Sequence, residues 1–77
     1  MEFSKIHDIV IENIKEVKEE SGYRTDYVAE KIGWSPMMFS NILHGRKVLK
    51  SEYLPHIANA IGCDINRLFK GVEVDEW

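Results

Sequence analysis

The helical periodicity of apolar residues breaks once in the middle of the chain, and this break constrains the fold more than any other feature. Between positions 25 and 44, apolar residues recur at helical spacing, stop at Gly33-Trp34-Ser35 and then resume. Glycine ends a helix easily because it accepts a left-handed backbone without steric cost. Ser35 can cap the next helix, and Pro36 suits a first helical position, where a missing N–H costs nothing. The pattern predicts two short helices joined by a tight turn, the second running from Pro36 to about Leu43.

Helices are also predicted on both sides of this pair. A first helix is expected from about Lys5 to Glu20, with one apolar face formed by Ile6, Ile9, Val10, Ile14 and Val17. A fourth helix is expected from a cap at Ser51 to about Ile61, where Gly62 ends it. Pro55 is either tolerated in the first turn of this helix or moves its start later. A short fifth helix follows over residues 65–69, where Leu68 and Phe69 are expected to close the core. The predicted class is all-α, with five helices.

Length and composition limit the possible classes of protein. Seventy-seven residues suffice for one domain, predicted over residues 1–71, followed by a tail at 72–77. Neither a disulfide nor a metal site is expected from the single cysteine, Cys63, which is predicted to be buried and inert; no cofactor is expected. Apolar runs are too short for a membrane span or a signal peptide, and a cytoplasmic location is expected.

The charges are distributed unevenly along the chain. The net charge is −3, which by itself argues against a nucleic-acid partner. However, no acidic residue occurs between positions 31 and 51, whereas that stretch contains Lys31, Arg46, Lys47 and Lys50. Either these residues form a basic binding surface, or they are an ordinary solvated charge run beside acidic helices.

A resemblance to a known family covers roughly residues 9–69. The central stretch has a small residue, Ala29, the turn glycine Gly33, and two apolar residues, Phe39 and Ile42, at matching positions. The similarity continues through His44-Gly45-Arg46-Lys47, Ile57-Ala58-x-Ala60-Ile61-Gly62 and Leu68-Phe69. The chain thus resembles the helix-turn-helix proteins of the Cro and phage-repressor (Xre-like) family. The resemblance implies a compact five-helix lambda-repressor-like domain that binds double-stranded DNA and regulates transcription. Its helix-turn-helix would be formed by helices 2 and 3, and helix 3, residues 36–43, would enter the major groove.

Base contacts are implied at the start and on the outward side of this third helix. The positions that match the family's base contacts are Pro36, Met37, Ser40 and Asn41. Pro36 has no side-chain hydrogen-bonding group, and Met37 offers apolar surface suited to a thymine methyl. Direct readout is therefore expected to depend on Asn41, which can pair with adenine, helped by Ser40.

Phosphate contacts are implied at both ends of the motif. Thr25 lies at the start of the second helix, where backbone N–H groups and the helix dipole favour an anion. The family commonly has glutamine there, and a threonine that only caps the helix is an equally valid interpretation. Arg46 and Lys47 are the charges expected at the other end. The full implied set is Arg24, Thr25, Ser35, His44, Arg46, Lys47 and Lys50.

Two further points concern partners. The family implies a homodimer that presents two recognition helices about 34 Å apart on a near-palindromic site. The tail, with apolar Val74 and Trp77, either pairs with its counterpart in a second subunit or is a frayed end.

An alternative function is a protein-interaction module, antitoxin-like or antirepressor-like, that uses Trp34, Met37 and Met38. An enzyme is not expected, because no phosphate-binding loop and no nucleophile–base spacing is present.

Overall fold

Helices account for all of the regular structure in the part of the chain that is described. The structure, a computed structural model, describes residues 3–72, with side chains from residue 5 onward. The α-helices are α1 (Phe3–Ser21), α2 (Thr25–Ile32), α3 (Pro36–Leu43) and α4 (Leu54–Ile61), and 3₁₀ helices span Ser51–Tyr53 and Ile65–Phe69. No strand occurs within residues 3–72. The predicted all-α class is confirmed.

The turn between α2 and α3 forms as the sequence predicts. Gly33 has a φ of 91°, and its N–H donates to the carbonyl oxygens of Ala29 and Glu30. Ser35 Oγ accepts a 3.2 Å hydrogen bond from the backbone N–H of Met38, and Pro36 is the first residue of α3. The glycine corner and the serine cap are thus confirmed, and together they fix where α3 begins.

A single core lies between α1, α2, α3 and α4. α1 contributes Val10, Ile14 and Val17 to it, and Leu68 of the last 3₁₀ helix is fully buried. Its largest fully buried side chains are Phe39, Ile14, Ile42, Ile57, Ile61, Leu68 and Val28. Because α3 places Phe39, Ile42 and Leu43 in this core, the opposite side of α3 is left facing solvent.

The C-terminal third differs from the prediction in three details. α4 begins at Leu54 and not at Ser51, because residues 51–53 form a 3₁₀ turn and Pro55 lies in the first turn of α4. The predicted fifth helix is a 3₁₀ helix, capped by a hydrogen bond from the Asn66 N–H to Asp64 Oδ1. The expectation that Phe69 closes the core was wrong, since its side chain is 39% exposed. In this 3₁₀ helix Leu68 is fully buried and Ile65 partly buried against the core, whereas Phe69 is exposed.

Two polar side chains, Asn13 of α1 and Arg67 of the last 3₁₀ helix, join α1 to the last 3₁₀ helix and the residue that follows it. Asn13, only 8% exposed, donates from Nδ2 to the carbonyl oxygens of Leu68 and Lys70, both at 2.8 Å. Arg67 Nη2 lies 3.0 Å from Glu16 Oε1. Val72, which the sequence analysis placed in the tail, packs partly buried against the core. The remaining tail residues, 73–77, lie outside the described residues.

None of the helices described over residues 3–72 has the length and apolar character needed to cross a membrane.

Candidate functional site

An open groove of about 760 Å³ lies between the start of α2, the outward side of α3 and the loop after α3. Its lining residues are Arg24, Thr25, Asp26, Pro36, Met37, Ser40, Asn41 and Arg46. All four predicted base contacts and three of the seven predicted phosphate contacts are in this set. We call it the α2–α3 groove. Residues separated by more than twenty positions in sequence therefore meet at one concave surface.

The outward side of α3 forms one wall of the α2–α3 groove. Met37 is 73% exposed, whereas Ser40 and Asn41 are half-buried along the same helix. These side chains face the groove because α3 uses Phe39 and Ile42 for the core. The wall therefore offers one apolar group and two groups able to form hydrogen bonds.

The loop after α3 is held against the end of that helix. Gly45, with a φ of 76°, reverses the chain after the helix. The backbone N–H groups of Arg46 and Lys47 then both donate to the carbonyl oxygen of Asn41, over 2.8 and 3.2 Å. The loop is thereby fixed by main-chain contacts to the helix that carries the groove-facing side chains.

Arg46 also contacts Asn41 through its side chain. Arg46 Nε donates a 2.9 Å hydrogen bond to Asn41 Oδ1. These residues were predicted to have separate roles, a phosphate contact for Arg46 and a base contact for Asn41, and nothing in the sequence indicated that they pair. A five-residue separation across a helix end gives no periodic signal, and the contact depends on the left-handed turn at Gly45.

Four of the predicted phosphate contacts do not line the α2–α3 groove. Ser35 is occupied as the cap of α3, and Lys50 Nζ lies 6.0 Å from the centre of the Tyr53 ring. His44 lies along α3, with Nδ1 2.8 Å from the carbonyl oxygen of Ser40. Lys47 is exposed in the loop beside Arg46. None of these four side chains forms part of the groove wall.

Basic side chains lie at both ends of the α2–α3 groove, and one acidic residue, Asp26, also lines it. Arg24 Nε lies 3.4 Å from Asp26 Oδ1, and the two side chains are 85% and 58% exposed. Asp26 was not among the predicted site residues, and it partly offsets the charge of Arg24. Within residues 5–72, no acidic side chain forms an ion pair with Arg46 or Lys47. The loop end of the groove is the more strongly positive one.

The residues of the alternative protein-binding patch are separated by the fold. Trp34 is half-buried against the core, with its ring centroid 4.9 Å from that of Tyr53 and 6.2 Å from that of Phe39. Met38 is half-buried, so only Met37 presents a large exposed apolar surface. The three side chains do not form one exposed apolar surface.

The described residues offer few metal-binding or nucleophilic groups. No group of three or more histidine, cysteine or acidic side chains is placed to hold a metal ion in that part of the chain. Cys63 is half-buried, and burial raises the pKa of its thiol, with a smaller opposing effect from Arg67. A raised pKa keeps the thiol protonated and weakly nucleophilic near neutral pH.

Comparison with known proteins identifies no relative: no family model, curated protein or solved structure matches the chain. Function has to be argued from the groove itself.

Proposed function

We propose that this protein is a sequence-specific regulator of transcription that binds double-stranded DNA in the manner of Cro and small phage repressors. In this proposal the domain is a lambda-repressor-like fold, α2 and α3 are its helix-turn-helix, and α3 is the recognition helix. The observation that carries the proposal is the composition of the α2–α3 groove. Seven of its eight lining residues occupy positions at which the family resemblance implies contacts with DNA.

The outward side of α3 has the properties required of a recognition helix. An α-helix fits the major groove of B-DNA, and its first residues approach the base edges. Met37 is exposed there and suits a thymine methyl, while Ser40 and Asn41 carry hydrogen-bonding groups along the same side. Pro36 fixes the start of the helix and adds apolar contact but no hydrogen bond.

Phosphate binding is supported by groups at the two ends of the α2–α3 groove. Thr25 begins α2, whose free N–H groups and helix dipole favour an anion, and Arg24 precedes it. At the other end, Arg46 and Lys47 are exposed in a loop fixed by hydrogen bonds to Asn41. Two contact points of this kind would set the register of α3 on the duplex.

The proposal includes a homodimer in the cytoplasm. An eight-residue helix contacts only a few base pairs, so specificity would come from two half-sites about 34 Å apart and from DNA shape. A protein-interaction function centred on Trp34, Met37 and Met38 has less support, because Trp34 packs against Tyr53 and Phe39.

The deciding experiment measures the affinity of the protein for duplex DNA at several salt concentrations by fluorescence anisotropy. A protein that contacts several phosphates loses a large factor in affinity between about 50 and 200 mM salt. We expect a linear fall of the logarithm of the binding constant with the logarithm of salt concentration. Absence of binding at the lowest salt, for a mixed pool of random duplexes, would refute the proposal.

A further inference from the structure

The side chains of Asn41 and Arg46 form one hydrogen-bonded unit on the wall of the α2–α3 groove. The 2.9 Å contact joins Arg46 Nε to the amide group of Asn41. An arginine Nε can only donate, so the Asn41 atom that faces it has to be the acceptor Oδ1. Chemistry therefore fixes the orientation of the amide: its oxygen faces Arg46, and its NH₂ group is the part left for a ligand.

The exposed part of this unit consists of hydrogen-bond donors with a positive charge. Asn41 Nδ2 offers N–H groups, and so do the two terminal nitrogens of Arg46. Both residues line the same groove, and no acidic side chain within residues 5–72 pairs with Arg46. A ligand that contacts these two side chains would therefore meet mainly hydrogen-bond donors.

The four bases differ in how well they fit such a surface. In the major groove guanine presents two acceptors, N7 and O6, whereas thymine presents one acceptor, O4, beside its methyl group. Adenine presents one acceptor and one amino donor, and cytosine presents an amino donor. Asn41 Oδ1 retains a second lone pair, but an adenine amino group approaching it would come beside the positive guanidinium of Arg46. The acceptors of guanine would instead be attracted.

Resting on the function proposed above, we propose that Asn41 and Arg46 act together as a single donor surface that selects guanine in the major groove. Arg46 is then a specificity-determining residue and not only a phosphate contact. This replaces the expectation that Asn41 pairs with adenine. Lys47 remains the phosphate contact of the loop, since it is exposed and does not line the α2–α3 groove.

The test begins with selection of bound sites from random duplex DNA. In the selected duplex, single guanines are then replaced by 7-deazaguanine and single adenines by 7-deazaadenine, each of which lacks only the N7 acceptor. We expect a guanine in each half-site whose replacement weakens binding of the unmodified protein about tenfold, as for loss of one good base contact.

Protein variants then identify the residues that make this contact. Arg46→Lys keeps the positive charge but loses Nε and the planar pair of donors. It should bind with the same salt dependence and show a clearly smaller loss on 7-deazaguanine replacement, because a lysine can still donate to N7 but without the geometry that the Asn41–Arg46 pair fixes. Lys47→Ala is the matched control, which should weaken binding to all duplexes and keep the guanine effect. Asn41→Ala, which removes the acceptor that orients Arg46, should reduce the guanine effect, and circular dichroism verifies that each variant is folded.

Two outcomes would overturn the inference alone, and a third would refute the proposed function as well. If the selected sites require adenine and 7-deazaadenine is the harmful replacement, Asn41 reads adenine and the inference is overturned. The inference is equally overturned if Arg46→Lys keeps the full guanine effect. If no duplex binds in a salt-dependent way, the proposed function itself fails, and the inference fails with it.

Discussion

The side-chain amide of Asn13 donates a 2.8 Å hydrogen bond to the carbonyl oxygen of Leu68, joining the middle of α1 to a residue 55 positions away. The same Nδ2 atom donates to the carbonyl oxygen of Lys70. Because Asn13 is buried, removal of its side chain would leave the Leu68 carbonyl without a partner.

We therefore expect Asn13→Ala to lower the free energy of unfolding by about 2 kcal/mol. Urea denaturation monitored by circular dichroism measures this change. Asn59→Ala is the matched control, because Asn59 is an exposed asparagine in α4, and its replacement should change stability by less than about 0.5 kcal/mol. Equal effects of the two replacements would contradict a structural role for the Asn13 contacts.

Replacing Ser35 separates its role as a cap from contact with phosphate. Ser35→Ala removes the acceptor for the Met38 N–H and should cost about 1 kcal/mol of stability. Ser35→Asp supplies another good capping oxygen and should retain most of the stability. Its negative charge should nevertheless weaken DNA binding if phosphate lies nearby. Thermal denaturation and anisotropy titration of the two variants give the comparison, and unchanged DNA affinity in Ser35→Asp would exclude Ser35 as a phosphate contact.

A side chain added at Gly33 would point into open space. The backbone conformation of residue 33 therefore determines how a substitution there changes stability. A Cβ atom there would have no heavy atom within 4 Å, but the φ of 91° is one that L-residues avoid. We expect Gly33→Ala to destabilise the protein by about 1 to 2 kcal/mol and Gly33→Asn by less, because asparagine tolerates the left-handed region. Urea denaturation tests the order of the two variants, and a neutral alanine would show that the corner can relax.

Lys47→Ala should weaken DNA binding uniformly. An exposed lysine that contacts one phosphate contributes about one unit to the slope of the logarithm of affinity against the logarithm of salt concentration. We expect this variant to lose that unit without changing the order of preferred sequences. Lys5→Ala makes the same change in net charge on exposed α1, away from the α2–α3 groove, and should leave the slope unchanged. A similar loss in both variants would point to net charge and not to a local contact.

The thiol of Cys63 should make stability depend on pH under alkaline conditions. Burial raises its pKa in the folded protein, so over the range above its ordinary value the folded state holds a proton that the unfolded state has released. The contribution of this thiol to the free energy of unfolding is therefore fully present below the pKa that it has in the unfolded chain. That contribution is lost as pH rises towards the pKa that the thiol has in the folded protein. Denaturation of the protein and of Cys63→Ala from neutral pH to about pH 9.5 should show a smaller decline in the variant. Parallel declines would contradict the effect.

Local signals in the sequence were sufficient to predict the turn between α2 and α3. The turn at Gly33, the cap at Ser35 and the start of α3 at Pro36 each depend on neighbouring residues only, and each was predicted correctly. The outward side of α3 followed from the same helical period. The grouping of seven predicted contacts around one groove could be foreseen only through the family resemblance, because no local pattern relates Arg24 to Asn41.

The main contacts that the sequence did not predict depend on chain reversals and on how other elements pack, which helical periodicity does not reveal. Asn13 is polar, so periodicity assigns it to solvent, yet the last 3₁₀ helix supplies carbonyl partners that allow its burial. Leu68 and Phe69 are adjacent and equally apolar, and a five-residue 3₁₀ helix is too short for its pattern to decide which one faces inward. The Arg46–Asn41 pair likewise requires the chain reversal at Gly45.

The main-chain oxygen of Asn41 anchors the loop after α3, whereas the side chain of Asn41 lines the α2–α3 groove. Any helix-compatible amino acid at position 41 would keep this oxygen and therefore both N–H contacts of the loop. Under the proposed function, a substitution at this position would alter which bases are preferred while the main-chain anchor of the loop stays in place, so that a single codon change would suffice for retargeting.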